Sequence, residues 1–133
     1  MIFKQNFRVY YNHTDSGGVV YHSNYITFCE QARTEFLRSN GLEQLKLVHE
    51  NNLLFVVTDI NASFKYPARL DDFITVTIEE VIIKDPKITM LQKIYNNDKL
   101  LFTCNVELVA IDNSYKLYRR IPDFIKEKLC LQN

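Results

Sequence analysis

Residues 10–25, YYNHTDSGGVVYHSNY, place an acid, two adjacent glycines and a histidine close together along the chain. Asp15 lies just before Gly17 and Gly18, and His22 follows where a helix is expected to begin. Glycine allows a backbone to approach a ligand closely. The first amides of a helix lack partners within the helix and lie at the positive end of its dipole, so they can hold an oxygen that gains negative charge.

A carboxylate beside such an oxygen can attack the adjacent carbon or activate a water molecule to do so. Together these groups form a minimal site for hydrolysing an activated acyl group such as a thioester, whose thiolate leaves without help from a metal. The spacing of His13, Asp15 and His22 matches no metal-binding motif. We therefore expect neither a metal nor a cofactor.

The same residues also fit a purely structural turn. Asp15 is then an N-cap or turn residue that accepts hydrogen bonds from backbone amides, and the two glycines meet a dihedral requirement. A lone histidine near the start of a helix is more often a structural hydrogen-bonding residue than a catalytic base. Spacing alone favours this second interpretation.

The elements that position this segment follow from the hydrophobic periodicity. A loosely alternating strand is predicted at residues 3–11, and an amphipathic helix from about residue 22 to residue 40. The helix is indicated by apolar residues at helical spacing, namely Tyr25, Phe28, Cys29, Ala32 and Phe36. Four long antiparallel strands are predicted after it, at residues 54–66, 71–84, 88–94 and 100–110. Pro122 suggests the start of a short C-terminal helix.

The strand predicted at residues 54–66 alternates between an apolar and a polar face, which is typical of a half-buried strand. Its apolar face consists of Val56, Thr58, Ile60, Ala62, Phe64 and Tyr66. Apolar residues also occur on the opposite face of this strand and on both faces of the strand at residues 100–111. We therefore expect a second subunit to cover part of this surface.

Composition limits the remaining possibilities. A length of 133 residues suits one domain, residues 1–133, with a substantial core. Sixteen basic residues balance sixteen acidic ones, so no overall field attracts nucleic acid or an anionic membrane. No stretch is apolar enough for a signal peptide or a membrane span. Cys29, Cys104 and Cys130 are an odd number without paired spacing, which predicts reduced thiols and a cytoplasmic protein.

The string YYNHTDSGGVVYHSNYITFCEQARTEFLRSNG resembles the signature of the hotdog-fold thioesterases. Within these, it is most similar to the Tol-Pal-associated acyl-CoA thioesterases called YbgC-like, which are related to the 4-hydroxybenzoyl-CoA thioesterases. The matching positions are Asp15, Gly17, Gly18, Val19, Val20, Tyr21, His22, Asn24, Tyr25, Glu30, Ala32, Arg33, Thr34 and Glu35. The downstream segment YPARLDD, residues 66–72, also resembles a family feature.

The resemblance implies an α+β hotdog fold, in which a curved antiparallel sheet of about five strands wraps around a long central helix. It also implies that two sheets join edge to edge in a homodimer, and that dimers pair into a homotetramer. The substrate implied is an acyl-CoA, which is hydrolysed to a carboxylic acid and coenzyme A. An acyl carrier protein in place of coenzyme A is an alternative.

In the family, the aspartate that matches Asp15 is the nucleophile or general base, and the backbone amide that matches His22 polarises the thioester carbonyl. Gly17, Gly18, Tyr21 and Asn24 are the residues that we expect to bind or shape the substrate site. The chain departs from the family at Asn12 and His13, where acidic residues often occur. We do not expect the His13 ring to act in catalysis.

Other features have simpler explanations. Glu30 and Arg33 have the spacing of an ion pair on one helix face. Cys29 lies on the apolar helix face and is expected to be a buried spectator rather than a nucleophile.

A non-catalytic hotdog protein that binds acyl chains or partner proteins remains an alternative, but Asp15 and the two glycines would have no use in it. The segment does not have the arrangement expected of a hotdog dehydratase.

Overall fold

The computed structural model describes residues 1–130, without the side chain of Cys130, so the predicted thiol at that position lies outside the described part. In chain order the elements are β1 (Phe3–Arg8), α1 (His22–Ser39), α2 (Gln44–Asn51), β2 (Leu54–Phe64), β3 (Phe73–Lys84), β4 (Lys87–Asn96), β5 (Lys99–Ile111) and α3 (Asp123–Cys130). A short 3-10 turn at Tyr11–His13 follows β1.

The five strands form one antiparallel sheet in the order β1-β3-β4-β5-β2. Strands β3, β4 and β5 are consecutive hairpins, whereas β2 pairs with β5 at one edge and β1 pairs with β3 at the other. Helix α1 packs against β1, β3 and β4. The predicted α+β architecture, a long helix held by an antiparallel sheet of five strands, is confirmed.

Helix α1 forms because its sequence has apolar residues at helical spacing and no proline or glycine. It ends one residue before the predicted position. The Asn40 side chain donates a hydrogen bond to the Phe36 carbonyl at 2.8 Å, and the Leu42 amide donates to the Leu37 carbonyl at 2.8 Å. Gly41 has φ +76°, which lets the chain turn away at this point.

The core lies between α1 and the sheet. Its fully buried large side chains come from the helix, the strands and three connecting loops, and include Phe28, Phe36, Leu42, Leu53, Ile74, Ile78, Ile88, Met90, Ile94, Leu101, Phe102 and Ile121. Cys29 and Cys104 are buried free thiols, as predicted. The predicted turn between β4 and β5 is also present, with Asn97 at φ 55°.

The prediction that the first strand continues to residue 11 is wrong, because β1 ends at Arg8. Beyond it, the Val9 amide donates to the Asp72 carbonyl, and the Asp71 amide donates to the Val9 carbonyl. The Tyr10 amide then donates to Nδ1 of His13 at 2.8 Å. These bonds replace the strand ladder, so the chain coils where periodicity predicted extension.

The prediction for residues 54–66 is wrong in two respects. The strand ends at Phe64, and a β-bulge between Val57 and Asp59 interrupts the alternation of its two faces. Because β2 is an edge strand, much of its predicted apolar face is uncovered in the single chain. Ile60 is 37% exposed and Phe64 is 52% exposed.

Two smaller differences are a shifted strand boundary and a helix that was not predicted. The strand predicted from residue 71 begins at Phe73, because Asp71 has φ 72° and turns the chain. Helix α2 was not predicted at all. It has only eight residues, its N-cap residue makes no side-chain capping bond, and only Leu47 is buried, so it offers few signals that indicate a helix.

Replacement of Phe36 by alanine tests the packing of α1. Phe36 is 1% exposed and its ring lies 5.7 Å from that of Phe3, so the substitution leaves a large cavity. We expect Phe36→Ala to lower the free energy of unfolding by about 3–5 kcal/mol in chemical denaturation at fixed protein concentration. Leu45→Ala is the control: Leu45 is 71% exposed, and its loss should change the free energy by less than about 0.5 kcal/mol. Equal effects would contradict the described core.

Candidate active site

The segment that precedes α1 is a tight turn centred on Asp15. The Asp15 amide donates to the Val19 carbonyl at 2.9 Å, and Thr14 and Val20 form an isolated β-bridge across the turn. The Gly18 amide donates to the Asp15 carbonyl at 3.2 Å. Gly18 has φ +80°, a conformation that other residues rarely adopt.

The Asp15 side chain is held by the backbone of its own turn. Its Oδ1 accepts a hydrogen bond from the Gly17 amide at 2.8 Å. A β-carbon on Gly17 would lie 3.2 Å from that same oxygen, so glycine leaves room for the contact. Within the described residues, Oδ2 has no protein donor, and the residue is exposed. The structural turn is therefore present, and it leaves one carboxylate oxygen available.

The turn is fastened to the loop that follows β2. The Val20 amide donates to the Ala68 carbonyl at 2.9 Å, and Val19 forms a β-bridge with Arg69. The Ala68 amide in turn donates to the hydroxyl of Tyr25 at 2.9 Å. Since Tyr25 belongs to α1, these bonds fix the turn, the helix and the sheet edge relative to one another.

The start of α1 is held by the carbonyl of His13. This oxygen accepts from the Tyr21 amide at 2.9 Å and from Nδ2 of Asn24 at 2.8 Å. Tyr21 is the N-cap residue, but its side chain caps no amide. Within the described residues the backbone amides of His22 and Ser23 have no hydrogen-bond acceptor. Two donors at the positive end of the helix dipole are thus free to bind an oxygen.

A pocket of about 300 Å³ opens beside the first turn of α1. It is lined by Val20, His22, Tyr25, Phe64, Lys65, Tyr66 and Pro67. The rings of Tyr25 and Phe64 pack with the buried ring of Phe102, with centroids 5.0–5.5 Å apart. An apolar group entering here meets aromatic side chains, which suits an acyl group.

Of the predicted site residues, His22 lines this pocket. Asp15, Gly17, Gly18, Tyr21 and Asn24 form the turn and helix start next to it instead. Sequence reasoning missed the contribution of residues 64–67 to the pocket. The signal was present in the segment YPARLDD, whose resemblance to the family was noted without a role for its first residues.

The ionisable groups near the site differ in how the fold affects them. Burial raises the pKa of Tyr25, and the charges of Asp72 and Asp15 act in the same direction, so the phenol keeps its proton. Burial raises the pKa of the Cys29 thiol to about 12. A thiol that stays protonated at neutral pH is a poor nucleophile, in agreement with its predicted spectator role.

Within residues 1–129, no group of three or more His, Cys, Asp or Glu side chains is arranged to hold a metal ion. None of the helices in the described part of the chain is both long and apolar enough to cross a membrane. In the site itself, the structure brings a carboxylate and free backbone amides next to an aromatic pocket.

Comparison with known proteins identifies the family. The profile of the family described as Thioesterase-like superfamily matches residues 9–129. The acyl-CoA thioester hydrolase YbgC of Escherichia coli O6:H1 is 37% identical over 125 residues, which cover 93% of this chain and 92% of that protein. The acyl-CoA thioesterase YbgC of Haemophilus influenzae is 39% identical over 105 residues, with coverages of 79% and 77%.

The fold agrees with this match. A probable thioesterase from Bartonella henselae superimposes with a TM-score of 0.84 at 33% identity, covering 90% of this chain and 98% of that one. The resemblance found in the sequence is thereby confirmed. From its free helix amides, its five-stranded sheet and these relatives, we conclude that this chain belongs to the thioesterase-like superfamily, with the hotdog fold, among the YbgC-like acyl-CoA thioesterases.

Proposed function

We propose that this chain hydrolyses acyl-CoA thioesters to a carboxylic acid and coenzyme A, with Asp15 as the reacting carboxylate. The observation that carries the proposal is the turn before α1, which holds Asp15 by the Gly17 amide close in sequence to the free amide of His22. The relatives named as acyl-CoA thioesterases support the substrate class.

In the proposed reaction, the thioester carbonyl oxygen accepts a hydrogen bond from the His22 backbone amide. The amide and the helix dipole stabilise the negative charge that develops on that oxygen. Asp15 either attacks the carbonyl carbon, giving an anhydride that water then opens, or takes a proton from an attacking water molecule. In both routes the C–S bond breaks, the thiolate takes up a proton, and one water molecule is consumed.

The other predicted site residues have supporting roles in this proposal. Gly17 and Gly18 give the turn its shape and let the backbone approach the substrate. Asn24 acts by holding the His13 carbonyl, since its amide group is already engaged there. Tyr21, which is 48% exposed, borders the entrance to the substrate site.

We further propose that residues 1–133 form a single hotdog domain that acts in the cytoplasm as a homodimer assembling into a homotetramer. The open edge of β2 and its exposed apolar side chains support the dimer. Asp15 is exposed and the adjacent pocket is open in the single chain, so a second subunit would also shield the reaction from bulk water.

Asp15→Asn tests the reacting group. The amide can neither attack nor accept a proton at neutral pH, so kcat for thiol release from an acyl-CoA should fall by about 10²- to 10⁴-fold. Asp98→Asn, in the exposed turn between β4 and β5, is the matched control and should keep full activity. Circular dichroism should show an unchanged fold for both variants. Full activity of Asp15→Asn would refute the assignment.

Two substitutions of His22 separate the backbone amide from the ring. His22 is the first residue of α1, a position where proline is tolerated, so His22→Pro removes the amide proton while keeping the helix. We expect kcat to fall by about 10²- to 10³-fold in His22→Pro. His22→Ala keeps the amide and should retain activity within about threefold. The reverse order of effects would show that the imidazole, not the amide, takes part.

The carrier is tested with one acyl group presented on coenzyme A and on acyl carrier protein. We expect the larger kcat/KM with coenzyme A, because the similar relatives are named for that substrate. A panel of short aliphatic, aromatic and long acyl-CoA substrates, read by thiol release, then defines the acyl group. Higher activity on the carrier protein would show that an acyl carrier protein thioester is the substrate. No activity on either carrier would favour a non-catalytic protein that binds acyl chains.

A further inference from the structure

Arg33 is an unusual residue in the middle of α1, because it is charged yet only 7% exposed. Its Nη1 donates to Oε1 of Gln92 at 3.0 Å, and Nε2 of Gln92 donates to the Cys29 carbonyl at 3.0 Å. Arg33 of α1 is therefore bound to Gln92 of β4, which is bound in turn to the backbone of α1. The guanidinium has five N–H donors, and within the described residues its one hydrogen bond is the bond to Gln92.

Within the described residues, no carboxylate lies within 4.0 Å of Arg33. The ion pair predicted from the spacing of Glu30 and Arg33 is therefore not formed. The Glu30 carboxylate is exposed and accepts only a long hydrogen bond, 3.5 Å, from Thr34. A guanidinium stays charged in proteins, and a buried charge without a counter-ion is costly.

A cavity of about 110 Å³ lies beside Arg33. It is lined by Glu30, Arg33, Thr34 and Leu37 of α1 and by Phe55 and Val57 of β2, together with two uncharged side chains. Among the residues around this cavity, Glu30 is the one acid. The cavity opens at the edge of the sheet formed by β2, where Val57 is 45% exposed.

This location favours a second copy of the chain as the occupant. The backbone of β2 is unpaired on its outer side, and such an edge is a template for pairing with another strand. A two-fold interface brings the same surface of both copies together. The same cavity lining therefore faces Arg33 from the second copy, and the acid in that lining is Glu30 of the partner subunit.

We propose that a second copy of this chain closes the Arg33 cavity, so that Glu30 of each copy pairs with Arg33 of the other. The proposal deepens the homodimer proposed above and rests on it. It assigns a partner to each unpaired charge: the buried guanidinium gains a counter-ion, and the exposed carboxylate gains a charge-assisted hydrogen bond. It also explains why two residues with the spacing of a helical ion pair do not pair within one chain.

A charge-swap mixing experiment tests the pairing. The Glu30→Arg chain carries two positive charges at these two positions, and the Arg33→Glu chain carries two negative ones. Each variant alone should dimerise at least tenfold more weakly than the wild type in analytical ultracentrifugation, because like charges meet across the interface. Mixed in equal amounts, the two variants should form a heterodimer with near wild-type affinity, since both cross-pairs then join opposite charges.

Pairing within one chain predicts a different result, because each variant keeps its like charges whatever it is mixed with. Glu35→Arg is the matched control, as Glu35 lies on the same helix and pairs with exposed Arg38 at 3.4 Å. This control should leave dimerisation within twofold of the wild type. Absence of heterodimer from folded variants overturns the proposal.

If Arg33→Glu does not fold, Glu30→Gln and Glu30→Arg still test the proposal. Dimerisation should weaken in Glu30→Gln, which removes the charge, and weaken further in Glu30→Arg, which reverses it. Unchanged dimerisation of both would show that the cavity takes a small anion or water instead, and would overturn the pairing. In that case the proposed homodimer and the proposed thioesterase activity would both stand. A monomeric wild type would instead refute the homodimer itself.

Discussion

The site depends on one buried peptide position, Ala68, which is inaccessible to solvent. Its carbonyl accepts from the Val20 amide of the turn, and its amide donates to the Tyr25 hydroxyl of α1. Buried backbone groups must find partners, and here both partners come from outside the sheet. The turn that carries Asp15 and the helix that supplies the free amides are therefore fixed to one another through the loop that follows β2.

Because of this constraint, the backbone of the site is rigid while its chemical groups stay accessible. The backbone is rigid, because the turn is closed by its own bonds and the helix start is held by the His13 carbonyl. The chemical groups themselves remain accessible, since Asp15 keeps an unengaged oxygen and the amides of His22 and Ser23 have no acceptor within the described residues. Fixed donors around an open position are what stabilisation of a developing charge requires.

The predictions succeeded where local signals decide the structure. Helix α1 and the hairpin at Asn97 follow from apolar spacing and from turn residues, which act within a few positions along the chain. They failed where distant contacts override such signals. The first strand stops at Arg8 because Asp71 and Asp72 take over the hydrogen bonds of Val9, and no local pattern indicates that. Helix α2 was missed for a different reason, because it has only eight residues, buries one of them and has no side-chain cap at its start.

The sequence by itself determined the family, the long helix, the antiparallel strands and the segment that carries Asp15. Each of these is indicated by residue types that recur within a few positions along the chain. Tertiary structure decided which residues meet. It joined the end of β2 to the helix start to form the aromatic pocket, and it exposed Ile60 by placing its strand at an edge. It also paired Arg33 with Gln92 rather than with Glu30. Such pairings depend on the strand order and on the closing of long loops, which the spacing of residues along the chain does not encode.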